Sequence, residues 1–186
     1  MKKYAPFSTS FNIKTKANIW ELHLDEPEMN KLLIEEINKT GDQQEHKTNA
    51  KCYMTYWHMW ENPGFKKFAD IFLQAVNYIS QKEYSKQDIF KYHLKNLWGL
   101  KLLSNEEVLP HDHWPAVYSC SYYITAPEGA PGISFPEVET KEGLGVIKNI
   151  KPGLLLIFPG NMKHSVEKKE FVGERYVVSS NAYIKD

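Results

Sequence analysis

From residue 94 to its end, the chain is cut by Pro and Gly turns into short runs rich in β-branched and aromatic residues. The runs are 97–103, 117–126, 132–135, 144–150, 154–158, 163–166 and 175–184, with turns at 127–132, 151–153 and 159–160. Proline removes a backbone donor and glycine supplies left-handed backbone, so a segment punctuated this often folds back on itself instead of extending a helix. Several short strands at this spacing predict a β-sandwich or barrel and argue against βαβ units. No internal repeat competes with that reading.

The first half has a different period. Residues 28–39 place Met29, Leu32, Leu33, Ile34 and Ile37 close to the i, i+3, i+4 spacing of an amphipathic helix, ended by Gly41. Asn62-Pro-Gly opens a second helix, whose stripe Phe65, Phe68, Ala69, Phe72, Ala75, Val76 and Ile79 suits packing on a sheet. The aromatic segment 52–60 between them reads either as an edge strand or as a loop lining a pocket. The expected fold class is therefore mainly β with flanking helices (α+β). Residues 1–93 form mostly helical, substrate-side support and residues 94–186 a jelly-roll core, all within one domain, as 186 residues allow.

Composition excludes some functions. Twenty-three Lys+Arg against 23 Asp+Glu give no net charge with which to hold nucleic acid. No apolar run approaches the roughly 20 residues of a membrane span. The basic start Met1-Lys-Lys has no apolar stretch behind it, so no secretory leader is expected. Cys52 and Cys120 are the only cysteines, which suits reduced thiols and a cytoplasmic location. Neither nucleic acid nor membrane is expected as a partner; a homodimer is compatible with the sequence.

Three of the seven histidines have a suggestive arrangement. In an extended segment residues i and i+2 point to one side, so His111 and His113 can face one point while Asp112 faces away. His164 follows the apolar run 154–158. Neutral imidazole is a common ligand for Fe, Zn, Cu and Ni, and non-haem iron oxygenases hold the metal with three protein ligands on one face.

Trp98, His111-Asp-His113, Ser119-Cys-Ser-Tyr-Tyr-Ile124, Phe158-Pro159, His164-Ser-Val166 and Arg175-Tyr-Val-Val-Ser-Ser-Asn181 occur in an order that resembles the 2-oxoglutarate/Fe(II)-dependent oxygenase superfamily. The likeness is to a prolyl-hydroxylase-like group of bacteria and phages that carries His-x-His. It spans residues 95–184, about half the chain. The resemblance implies a double-stranded β-helix, a cupin-like jelly-roll barrel with the metal at its mouth. It implies that His111 and His164 bind Fe(II). It also implies that Arg175, helped by Tyr123 and Ser179, holds the distal carboxylate of 2-oxoglutarate. A guanidinium is well suited to that task because it pairs with a carboxylate through two parallel hydrogen bonds. The implied reaction couples oxidative decarboxylation of 2-oxoglutarate by dioxygen to hydroxylation of a peptidyl residue, amino acid or small metabolite.

Most of the superfamily has His-x-Asp; here His113 is the expected third ligand, with Asp112 turned inward by a bulge, or water or substrate in its place, as the alternatives. His23, His46, His58 and His93 are expected to be structural or surface residues, and Cys120 to pack in the sheet wall. Two other functions share the barrel: a three-histidine metal dioxygenase or isomerase of the cupin kind without 2-oxoglutarate, and a non-catalytic binding module. Only a dicarboxylate beside the metal would give the Arg175, Tyr123 and Ser179 set a purpose.

Overall fold

The computed structural model describes residues 18–45, 47–83, 90–140 and 143–185. His46 and the basic start Met1-Lys-Lys lie outside them. Both predicted helices form. Helix α1 (Pro27–Thr40) begins on a proline, whose missing N–H costs nothing in a first turn, and buries Met29, Leu33 and Ile37. Helix α2 (Pro63–Glu83) buries all seven residues of its apolar stripe. No helix among the described residues is long and apolar enough to cross a membrane.

Eleven strands follow in chain order: β1 (Trp20–His23), β2 (Ala50–Lys51), β3 (Tyr53–Met54), β4 (Tyr92–Leu102), β5 (Glu107–His111), β6 (Tyr118–Tyr123), β7 (Ile133–Thr140), β8 (Gly143–Lys148), β9 (Leu154–Pro159), β10 (His164–Val166) and β11 (Arg175–Ile184). They build a larger sheet in the order β1-β9-β6-β11-β4-β3 and a smaller one in the order β2-β5-β10-β7-β8. All named pairings are antiparallel.

Side-chain alternation assigns the two faces of the larger sheet. On β9, Leu155 and Ile157 join a core with the helices, while Leu154, Leu156 and Phe158 join a second core shared with Val108, Ile133, Phe135 and Val166 of the smaller sheet. On β11, Tyr176, Val178 and Ala182 face the helices, and Val177 faces the other sheet. Buried on both faces, these strands read as continuous apolar runs. Gly99 of β4 lies where α1 and α2 cross: a Cβ there would collide with Ile37 and lie 3.1 Å from Phe65.

Some elements depart from the sequence expectation. Strand β4 starts at Tyr92, so His93 belongs to the sheet and not to the helical half; His23 likewise lies in β1. β1 and β2 are short edge strands, too brief for a visible period. β5 contains Pro110, which reads as a strand breaker; the Leu109 N–H donates to Asn49 on the β2 side, so Pro110 faces β10, where it falls within the register shift between the His111–His164 and Val108–Val166 pairs. The segment 52–60 supplies both of its expected readings: β3 at a sheet edge, then a loop whose Trp57 lines the main cavity.

Candidate metal centre

Strands β5 and β10 run antiparallel with His111 directly opposite His164. Their register therefore puts two imidazoles side by side, with ring centroids 4.4 Å apart. His113 comes from the loop after β5 and completes the group, 4.9 Å from His111 and 5.0 Å from His164 between centroids. One ligand nitrogen from each residue lies within 4.8 Å of the other two. The backbone holds the loop in place: the His113 N–H donates to the Gly160 carbonyl at 2.7 Å, and the Gly160 N–H to Val117 at 3.0 Å. Gly160 is required there, because a Cβ would run into the Ala116 carbonyl.

Hydrogen bonding determines which nitrogens face the centre. His111 Nδ1 lies 2.8 Å from the Leu109 carbonyl and His164 Nδ1 3.0 Å from the Met162 carbonyl. A carbonyl can only accept, so both Nδ1 atoms carry the proton and each Nε2 keeps its lone pair. Such outer partners fix the tautomer and orientation of metal-binding imidazoles. Burial lowers the pKa of all three rings. His164 is pushed down to about 4 by burial and then by His111, and His113 to about 2 by burial and then by His164 and His111. His111 is lowered mainly by burial. Neutral imidazoles are the form that coordinates metal. Asp112 takes no part in the cluster: it is exposed, and its Oδ1 accepts the Trp114 N–H at 3.0 Å. Phe158 packs on His164 at 4.9 Å and Trp98 on His113 at 5.9 Å, shielding the group from water.

The histidines open into a cavity of about 540 Å3 between the sheets, and Arg175, Tyr123 and Ser179 line the same cavity. Arg175 starts β11, and Ser179 falls on the same strand face four residues on. Arg175 is 3% exposed and Tyr123 fully buried. The guanidinium carbon sits 5.0 Å above the Tyr123 ring. Arg175 Nε and the Tyr123 hydroxyl have no hydrogen-bond partner, and among the described residues no carboxylate pairs with the guanidinium. Burial lowers the Arg175 pKa and raises that of Tyr123, the directions in which loss of water moves a cation and a phenol.

The structure also adds residues that the sequence did not single out. Ser121, two residues before Tyr123 on β6, lines the cavity; the i, i+2 spacing from Tyr123 was the available signal for it. Met54 and Trp57 line it too, from the segment 52–60 that the sequence offered as an edge strand or a pocket-lining loop. Cys120 lies on the opposite face, fully packed against the helices, with its thiol pKa pushed up by burial. His58 stacks on Trp60 at 6.4 Å and borders a neighbouring hollow. His23 and His93 lie apart from the three-histidine group.

No protein-family model matches the sequence, and no curated protein resembles it. Solved structures do. A prolyl-4-hydroxylase from Pseudomonas putida superposes with a TM-score of 0.66 at 11% identity, over 91% of this chain and 94% of that one. The viral collagen prolyl hydroxylase of Paramecium bursaria Chlorella virus-1, solved as its 2-oxoglutarate complex, gives 0.61 at 16% identity over 88% and 94%. SnoN, a non-haem α-ketoglutarate-dependent epimerase of nogalamycin biosynthesis, gives 0.70 at 10% identity over 90% and 78%. At these identities the likeness establishes the fold, which is the double-stranded β-helix of 2-oxoglutarate/Fe(II) oxygenases.

Proposed function

We propose that this protein is an Fe(II)- and 2-oxoglutarate-dependent oxygenase that hydroxylates a peptidyl residue or a small molecule. The observation that carries the reading is the buried Arg175, without a counter-charge among the described residues, in the same cavity as three convergent histidines. An unpaired buried guanidinium is costly, and such groups are retained where a ligand supplies the partner. A dicarboxylate whose other end chelates a metal meets both requirements. The shared folds of the viral prolyl hydroxylase solved with 2-oxoglutarate and of the α-ketoglutarate-dependent epimerase support the same assignment.

His111, His113 and His164 would hold the iron through their free nitrogens. Arg175 would take the distal carboxylate in a bidentate pair, with the Tyr123 hydroxyl donating a further bond and Ser179 closing the side. Such a clamp would fix the far end of the cosubstrate, and with it the orientation in which the molecule reaches the histidines. Iron with bound 2-oxoglutarate supplies the dioxygen activation and the oxidative decarboxylation. Phe158, Trp98 and Phe135 keep the reacting volume dry. A dioxygenase of the cupin kind would use the histidines but leave Arg175 and Tyr123 without a role.

Anaerobic titration of the Fe(II)-loaded protein with 2-oxoglutarate tests this reading. A weak visible charge-transfer band should appear for the wild type and fade strongly in Arg175→Ala and His164→Ala. Iron bound with no band would remove 2-oxoglutarate from the mechanism; no bound iron would leave a binding module.

A further inference from the structure

Past His113 the concave sheet face continues into a second hollow of about 400 Å3, which shares Trp57, Asp112 and His113 with the main cavity. On β11, Asn181 and Tyr183 extend the alternate positions of Arg175, Val177 and Ser179, and Asn96 of β4 stands opposite Asn181 in the ladder. Trp57, Tyr183 and Trp114, the last 75% exposed, form aromatic walls. No Lys or Arg lines the hollow, and Asp112 is its only carboxylate. The nearby Lys163 is already paired with Glu137.

Aromatic faces attract cations through their negative quadrupole, and one ring of this hollow already does so: the Lys95 ammonium lies 4.7 Å from the centroid of Tyr183. The charge pattern follows from His-x-His. Histidine ligands bring no negative charge, so a divalent metal and a dianionic cosubstrate would cancel. The negative charge that a carboxylate ligand would place on the metal stands instead on Asp112, one residue away and facing the hollow.

We infer that this hollow is a subsite for a cationic group, a primary ammonium or a guanidinium, with Asp112 as counter-charge and Trp114 and Trp57 as walls. The cation site stands on its own geometry; calling its occupant part of the substrate rests on the oxygenase reading above. A substrate with a basic side chain or amine would be anchored there while a neighbouring carbon lies at the metal.

The test uses the full chain with methylguanidinium and N-methylacetamide, a cation and a neutral amide of similar size, at low ionic strength. The indole N–H resonances of Trp114 and Trp57 are followed by NMR, alongside Co(II) uptake. Methylguanidinium should shift Trp114 and bind at least about fivefold more tightly than the amide, a preference that salt weakens. Asp112→Asn should remove about fivefold of that affinity and leave Co(II) uptake at the wild-type level, as should Trp114→Ala. Equal binding of the amide, no shift of Trp114, or an indifferent Asp112→Asn would overturn the subsite. Loss of Co(II) in Asp112→Asn would place that carboxylate on the metal and overturn it as well. The charge-transfer band of the wild type is read separately: a band without cation binding defeats the subsite alone, and cation binding without a band defeats the oxygenase reading alone.

Discussion

Arg175 concentrates the conflict between stability and function in one side chain. Its guanidinium is buried beside a tyrosine and pairs with no carboxylate among the described residues, so by itself it opposes folding. Arg175→Met keeps the volume and removes the charge. It should raise the stability of the ligand-free protein by about 1–3 kcal/mol, the cost of a buried polar group left without its bond, and abolish the stabilisation given by 2-oxoglutarate. Urea unfolding with and without the cosubstrate measures both. A destabilised Met variant would mean that Arg175 is a structural residue. Arg175 and His164 were visible in the sequence because each follows or opens an apolar run in a recognisable order. What the sequence did not carry was their isolation: whether a carboxylate folds back against Arg175 depends on all the other elements. The third position of the cluster shows the same division: spacing favoured His113 but kept Asp112 as an alternative, and the Trp114 N–H on Asp112 Oδ1 turns that carboxylate out to solvent.

Among the elements, the β5–β10 pair and the turn after β9 do the positioning. The antiparallel register sets His111 against His164, and the Gly160 carbonyl holds the backbone of His113. Gly160→Ala would force its Cβ onto the Ala116 carbonyl and push that turn away from the His113 loop. The expected result is a metal affinity lower by about tenfold or more with a preserved far-UV CD spectrum, since disturbing the groups that orient a ligand commonly costs 10–100-fold. Calorimetric titration with Co(II) reads it; unchanged affinity in a folded variant would show that His113 is not positioned by this contact. The sequence displayed β9 and β11 clearly because both of their faces are buried. It concealed β5, whose only apolar residues within a short span are Val108 and Leu109 and whose proline suggests a break.

On the scale of the whole molecule, the site joins the two sheets. His111 and His164 come from the smaller sheet, Arg175, Ser179 and Tyr123 from the larger, and the cavity between them divides their shared core. A metal alone would tie only the smaller sheet and its following loop; a metal-chelated 2-oxoglutarate would bridge both. Each ligand at a hundredfold excess over its Kd should contribute about 2.7 kcal/mol. The bridge adds that 2-oxoglutarate raises the melting temperature far more with metal present than without it. Thermal melts with Co(II), with 2-oxoglutarate, with both and with neither check this coupling, and purely additive shifts would argue against a ligand that spans the sheets.

Taken by itself, the sequence determined what short-range physics controls. Turn residues cut the second half into strands, helical periods placed α1 and α2 with their buried faces, and the order of histidines, tyrosine and arginine pointed to a metal and a carboxylate. These features depend on neighbours a few residues apart, or on a pattern visible along the chain. Tertiary structure decided the rest: that β5 pairs with β10, that Asp112 stays out of the histidine cluster, that Trp57 reaches the cavity from a distant loop, and that Arg175 meets no counter-charge among the described residues. Each of these is a relation between segments far apart in sequence, fixed by sheet register and by which groups the packing excludes from water.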